Sequence, residues 1–182
     1  MKQRGLNVID LQNEYLPGGK LPLTGIEAAA HNAALAIADA RSKEIPVFHI
    51  RHEFAHGEAP VFVPGTEGVE IQPTVKPAAD EAVIVKNFVN AFRDTDLKAQ
   101  LDAKGVEEVI IVGAMSHMCV DACVRAAADM GYPVTVLHDA CATLDLSFGG
   151  VTVPAAQVHA AMMAAFEFGY GKVQSTSDYL SA

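Results

Sequence analysis

Cysteine is scarce in this chain: Cys119, Cys123 and Cys141 are the only three among 182 residues. They form neither an even set nor a CxxC pair, which argues against a disulfide framework and for free thiols in a reducing compartment. Basic residues are also few, with 13 Lys and Arg against 22 Asp and Glu and a net charge of -9. Without a basic face there is little to hold a phosphate backbone, so the composition argues against nucleic acid as a partner. Long apolar runs are missing too, and the N-terminal "MKQRGLNVIDLQNEY" meets a carboxylate soon after its basic start. Neither a membrane span nor a signal peptide is read there, and the expectation is a soluble, cytoplasmic protein. No internal repeat is visible. What the chain does have is apolar content, 51% of its residues, enough to bury a core in a single domain covering 1–182.

Strands and helices alternate along it. "LNVIDL" reads as a strand from Leu6 to Leu11. The next segment carries Thr24 and Glu27 in capping-box spacing ahead of an apolar stripe at Ile26, Ala30, Ala33 and Ile37, which predicts a helix. "PVFHI" (Pro46 to Ile50) is a second strand, and the Gly- and Pro-rich stretch after it is too long for an ordinary connection. It is expected to form a pocket wall or lid. "EAVIVK" is a third strand, "DTDLKAQLDAKG" a helix stopped by Gly105, "EVIIVGA" a fourth strand, and "MCVDACVRAAADMG" a helix stopped by Gly131. "YPVTVLHDA" follows as strand five, then a helix from Pro154 to Gly169 with Val158, Met162 and Phe166 on one stripe, then "GKVQS" as strand six. Continuous Val and Ile strands between helices predict an α/β fold: a doubly wound, mainly parallel six-stranded sheet with helices on both faces. In such sheets ligands sit beyond the carboxyl ends of the strands, where strand order reverses.

The residues expected at those ends are Asp10 after strand one, Arg51 and His52 after strand two, Lys86 closing strand three, and Cys119 after strand four. A thiol, a carboxylate and an ammonium are the ingredients of an activated nucleophile, since the thiolate is the reactive form and a neighbouring cation lowers a thiol's pKa from its usual value of about 8.5. Cys119 also falls near a helix start, where unpaired N–H groups favour negative charge and could receive an oxyanion. Each residue alone has a plainer reading: a small core cysteine, a turn-forming aspartate, a solvated lysine. Their shared edge and apolar flanks, "NVIDLQN" and "VIVKNF", set the chemical reading level with the plain one, because a charge is costly there unless paired or used.

Four segments in order, "VIDLQNEYLPGG", "FVPGTEGVEI", "VIVKNFVNAFRDTDL" and "VIIVGAMSHMCVDACVRAAADMGYPVTVLHDACAT", resemble the isochorismatase-like cysteine hydrolases, the group that includes nicotinamidase, N-carbamoylsarcosine amidohydrolase and ureidoacrylate amidohydrolase. The resemblance runs through nearly the whole chain. It implies the doubly wound fold, assembly as a homodimer or homotetramer, a small-molecule substrate, and an Asp10, Lys86 and Cys119 triad hydrolysing an amide or ureido C–N bond through a thioester. It also implies a non-proline cis peptide between Ala114 and Met115, with the amides of Met115 and Cys119 as oxyanion donors.

Other residues keep two readings at this stage. Tyr15, Leu16, Phe62, Phe88 and Phe92 line a pocket or pack a core, Arg51 and His52 contact substrate or stand exposed at a loop start, and Cys123 is a buried helix residue or a redox partner of Cys119. Cys141 is expected to be structural. His117, two residues before Cys119, is placed near the pocket as a dyad partner or a bystander. His49, His52 and His56 suggest a metal, but nicotinamidase-type sites combine an aspartate with histidines, "HIRHEFAH" has no aspartate, and His49 and His52 would point to opposite faces of a strand. No metal or cofactor is expected. Two further functions compete: vinyl ether hydrolysis as in isochorismatase itself, which needs no nucleophile, and a non-catalytic thiol or binding protein of the same fold.

Overall fold

The structure is a computed structural model that describes residues 2–54 and 59–182. Six parallel strands form its sheet: β1 (Arg4–Ile9), β2 (Val47–His52), β3 (Ala82–Lys86), β4 (Glu108–Ala114), β5 (Val134–Ala142) and, after an intervening hairpin of β6 (Leu146–Phe148) and β7 (Val151–Val153), β8 (Lys172–Gln174). Their spatial order is β3-β2-β1-β4-β5-β8, so the direction of winding reverses between β1 and β4. Helices α1 (Ile26–Ser42) and α5 (Thr176–Leu180) cover one face, and α2 (Leu97–Ala103), α3 (Cys119–Asp129) and α4 (Ala155–Gly169) cover the other.

Strand alternation explains the division of the core. Leu6 and Val8 of β1 and Ile110 and Val112 of β4 pack toward α1, whereas Ile9, Val109 and Ile111 pack toward α3. Both faces are apolar, which is why these strands read as unbroken Val and Ile runs rather than as an alternating pattern. In α4 the residues anchored in the core are Val158, Met163 and Phe166, with Met162 only partly buried.

Three sequence expectations shift. The Thr24–Glu27 capping box does not form: Gly25 holds the N-cap in a left-handed conformation (φ 73°) with no side-chain cap. Thr24 is instead drawn into a bridge with Thr143, its amide donating to the Thr143 carbonyl at 3.0 Å. Strand one ends at Ile9, not Leu11, and strand two runs on through Arg51 and His52. The β6–β7 hairpin and α5 carried no clear sequence signal, both being short.

Gly113 fixes the approach of β4 to β1. Its φ is 129°, and a Cβ there would lie 2.0 Å from the carbonyl oxygen of Ile9, a backbone atom that cannot move aside. Gly113→Ala is therefore expected to cost about 4 kcal/mol or more of unfolding free energy. Urea denaturation checks this, and a loss below about 1 kcal/mol would contradict the close packing of these strands.

Candidate active site

Four chain segments deliver polar side chains to the carboxyl end of the sheet beside the reversal point. Asp10 leaves β1 in a left-handed conformation (φ 50°), its amide still held by the Ile50 carbonyl at 3.0 Å. His52 ends β2, Lys86 ends β3, and Cys119 opens α3 just beyond β4. Their side chains converge on the Lys86 ammonium. Nζ lies 2.8 Å from Asp10 Oδ2, 3.0 Å from His52 Nδ1, 3.1 Å from the Phe88 carbonyl oxygen and 3.2 Å from Cys119 Sγ. Four acceptors thus surround three protons. The Asp10 contact is a close ion pair rather than an aligned hydrogen bond, and Asp10 Oδ1 has no hydrogen-bond partner among the described residues. Asp10 and Lys86 are fully enclosed, while Cys119 and His52 keep 6% and 7% of their surface exposed.

Burial would lower the Lys86 pKa, but Asp10 and then Cys119 more than reverse this and hold it above its ordinary value as an ammonium. His52 goes the other way: burial first and Lys86 second bring it down to about 4. Its ring is neutral near pH 7, so Nδ1 accepts from Lys86 and the ring proton sits on Nε2. Cys119 corrects a sequence expectation. Burial and the Asp10 carboxylate push its thiol up, and the opposing pull of Lys86 does not outweigh them. The neighbouring cation alone does not bring this thiol below its ordinary range.

The loop before Cys119 presents two unused donors. The Ala114–Met115 peptide is cis. The Met115 carbonyl accepts from the amides of Met118 (3.0 Å) and Val120 (3.2 Å), and the Ser116 amide donates to the Ala142 carbonyl (2.9 Å), whereas the amides of Met115 and Cys119 have no acceptor among the described residues.

Aromatic side chains wall the cluster on one side. His52 meets Phe54 edge-on with ring centroids 4.7 Å apart and Phe62 at 5.5 Å, and Phe62 meets Tyr15 at 5.1 Å. Tyr15 is buried, and its phenol is raised by burial and then by Asp10 and Cys119. Gln12 ties the wall together: its side chain donates to the carbonyls of His52 (2.9 Å) and Val69 (2.7 Å) and accepts from the His52 amide (2.9 Å). The sequence alone did not single out Phe54 or Gln12, because their contacts join segments 40 residues or more apart or depend on the loop's path.

The other expected pocket residues take several places. Leu16 packs against the cluster that also holds Tyr15 and Phe62, and Phe92 against the one that holds Cys119. Phe88 stays near the site through its carbonyl, while its ring lies under the Arg93 guanidinium at 3.7 Å. Arg51 lies on the opposite face of β2 from His52, paired with Glu53 (2.6 Å) and Glu70 (3.2 Å). His117 gives its Nδ1 to a 2.7 Å hydrogen bond with Thr143 Oγ1, which accounts for it structurally. Cys123 and Cys141 are buried free thiols, both pushed up to about 12 by burial.

Among the described residues, the histidines of β2 do not converge on one metal site. His49 is bound to Glu81 at 3.0 Å on one face of β2, and His52 on the other face holds an ammonium, which would repel a cation. His56 lies outside the described residues. A surface groove of about 770 Å³, lined by residues including Arg41, Pro46, Glu81 and Lys104, opens at the amino ends of β2 and β3, the far end of the sheet from Cys119.

Fold and site together define a doubly wound α/β protein with a thiol, a carboxylate and an ammonium at its switch point. The isochorismatase domain family matches residues 5–177. An uncharacterized isochorismatase family protein of Bacillus subtilis, YddQ, is 47% identical over 175 residues, covering 96% of this chain and 97% of its own. The isochorismatase hydrolase structure from Oleispira antarctica superposes with a TM-score of 0.96 at 50% identity, covering 100% of this chain and 97% of that one. Relatives with named activities are more distant: a streptothricin hydrolase of Streptomyces noursei (35% identity; 84% of this chain, 55% of its own), a maleamate amidohydrolase of Pseudomonas putida (32%; 76% and 71%) and nicotinamidase 3 of Arabidopsis thaliana (30%; 79% and 75%). The chain belongs to the isochorismatase family, a family of hydrolases. Among the described residues no helix is long and apolar enough to cross a membrane.

Proposed function

We propose that this protein hydrolyses a C–N bond of a small-molecule amide or ureido compound, with Cys119 as nucleophile, Asp10 as proton acceptor and donor, and Lys86 as the fixed counter-charge. One observation carries this reading: a single buried ammonium, 2.8 Å from a carboxylate and 3.2 Å from a thiol that opens a helix. The named activities of the more distant relatives, on maleamate and nicotinamide substrates, support the bond class.

As the Cys119 sulfur attacks the substrate carbonyl carbon, its proton passes to Asp10, whose free Oδ1 can receive it. The S–C bond forms and the carbonyl electron pair moves to oxygen, where the amides of Met115 and Cys119 receive it. The C–N bond then breaks, and the leaving nitrogen takes the proton from Asp10. Water, giving a proton to Asp10, attacks the thioester carbon; the S–C bond breaks and the sulfur recovers the proton. Lys86 stays an ammonium throughout and stabilises the sulfur as negative charge develops. His52 and the Tyr15, Phe54 and Phe62 rings form the wall against which the substrate lies. The working unit is a homodimer or homotetramer.

A panel of nicotinamide, maleamate, carbamoyl amino acids, ureidoacrylate and oxamate, assayed for ammonia release, tests the reaction class, with isochorismate and pyruvate release as the vinyl ether control. Ammonia from at least one amide is expected. Pyruvate from isochorismate without ammonia from any amide would replace this reading with its competitor.

A further inference from the structure

The loop that carries both proposed oxyanion donors is short, and its middle residue is Ser116. Ser116 is completely buried and held at its backbone by the Ala142 carbonyl, 2.9 Å from its amide. Its hydroxyl has one proton and two partners: the same Ala142 carbonyl at 3.3 Å and Nδ1 of His159 at 2.8 Å. The shorter contact is the stronger one. His159 stands on α4, 43 residues further along the chain, on a helix anchored in the core by Val158, Met163 and Phe166. Burial and then the neighbouring His138 lower its pKa, so the ring is neutral near pH 7 and Nδ1 can accept the hydroxyl proton. On the other side of Ser116, the Met115 carbonyl is held by the amides of Met118 and Val120. The loop is therefore clamped at consecutive residues, at one by its own helix and at the other by β5 and α4.

We propose that His159 is a positioning residue that holds the oxyanion-binding loop in register through Ser116. This rests on the reading of Cys119 as an acyl-accepting nucleophile. Placement of this kind matters because donors act only at hydrogen-bond distance from where the charge develops, and a displacement of about 1 Å costs about 100-fold in rate. Without the imidazole, Ser116 retains only the Ala142 contacts, and the loop loses its tie to α4.

Two reagents separate this role from general structural damage without requiring the natural substrate. Acylation of Cys119 by 4-nitrophenyl acetate passes through a tetrahedral oxyanion: the sulfur bonds to the acetyl carbon, 4-nitrophenolate leaves, and the thiol proton goes to Asp10. Alkylation by iodoacetamide displaces iodide at a saturated carbon and forms no oxyanion. Both rates are read on the Cys119 peptide by mass spectrometry, beside the thermal midpoint of each variant. His159→Leu and Ser116→Ala are each expected to slow acylation about 10- to 100-fold while alkylation stays within about twofold. The double variant should be no slower than the worse single one, since both remove the same link. His159→Asn, which keeps a polar atom at the Nδ1 position, should recover acylation to within about threefold of the parent. Acylation unchanged in His159→Leu, or acylation and alkylation falling together in both single variants, would overturn the proposal. If the parent is acylated at Cys123 or Cys141 but not at Cys119, the nucleophile reading fails and the positioning role falls with it.

Discussion

Cys119→Ala is expected to lower amide hydrolysis by about 10,000-fold or more, with little change in stability. The size follows from the chemistry, because removing a nucleophile leaves only the weak assistance of the oxyanion donors and substrate binding. The small stability effect follows from position: Cys119 is the first residue of α3, and the helix is anchored by Val120, Cys123, Val124 and Ala127. The parent thiol carries a second signature. Since burial and Asp10 raise it, its alkylation by iodoacetamide should keep accelerating beyond pH 9, where an ion-paired thiolate would already have levelled off. A variant retaining a tenth of the parent rate would remove Cys119 from the reaction, and a plateau in alkylation below pH 8 would contradict the balance of charges around it.

Lys86→Met should damage both activity and fold. Asp10 and Lys86 are completely enclosed, so removing the ammonium leaves a carboxylate that is neither hydrated nor paired. Losing one partner of such a pair costs about 3 to 5 kcal/mol. The Cys119 sulfur also loses the cation that stabilises negative charge developing on it. Activity is expected to fall about 1,000-fold, within the range that general acid–base catalysis supplies. The double variant Asp10→Leu, Lys86→Met separates the two effects: with neither charge present, urea stability should return to within about 2 kcal/mol of the parent while activity stays absent. Parent-like stability of Lys86→Met, or hydrolysis surviving in the double variant, would show that the pair is not the centre of this site.

Much of this arrangement was legible in the chain. Asp10, Lys86 and Cys119 each follow an apolar strand, and a parallel sheet with alternating helices can only bring such residues to one edge. Strand alternation also separated His49 from His52 correctly, which the structure shows as Glu81 on one face and Lys86 on the other. The rest depended on tertiary contacts. His117 kept two readings from its two-residue spacing, dyad partner or bystander, and the structure sends its Nδ1 to Thr143. Ser116 and His159 carry no signal until α4 is folded against the loop. Thr24 and Glu27 matched a helix cap, and a bridge to Thr143 overrode the local preference. The rise in the Cys119 pKa was likewise invisible, since sequence supplies a neighbouring charge but not the depth at which the thiol is buried.

The proposed covalent route is tested most directly by mass. With an amide that the protein turns over, acid quenching at steady state and peptide mass spectrometry should find the substrate's acyl group, minus its leaving amine, on the peptide bearing Cys119. Turnover that proceeds with no acyl group on Cys119, or with one on Cys123 or Cys141 instead, would contradict the account.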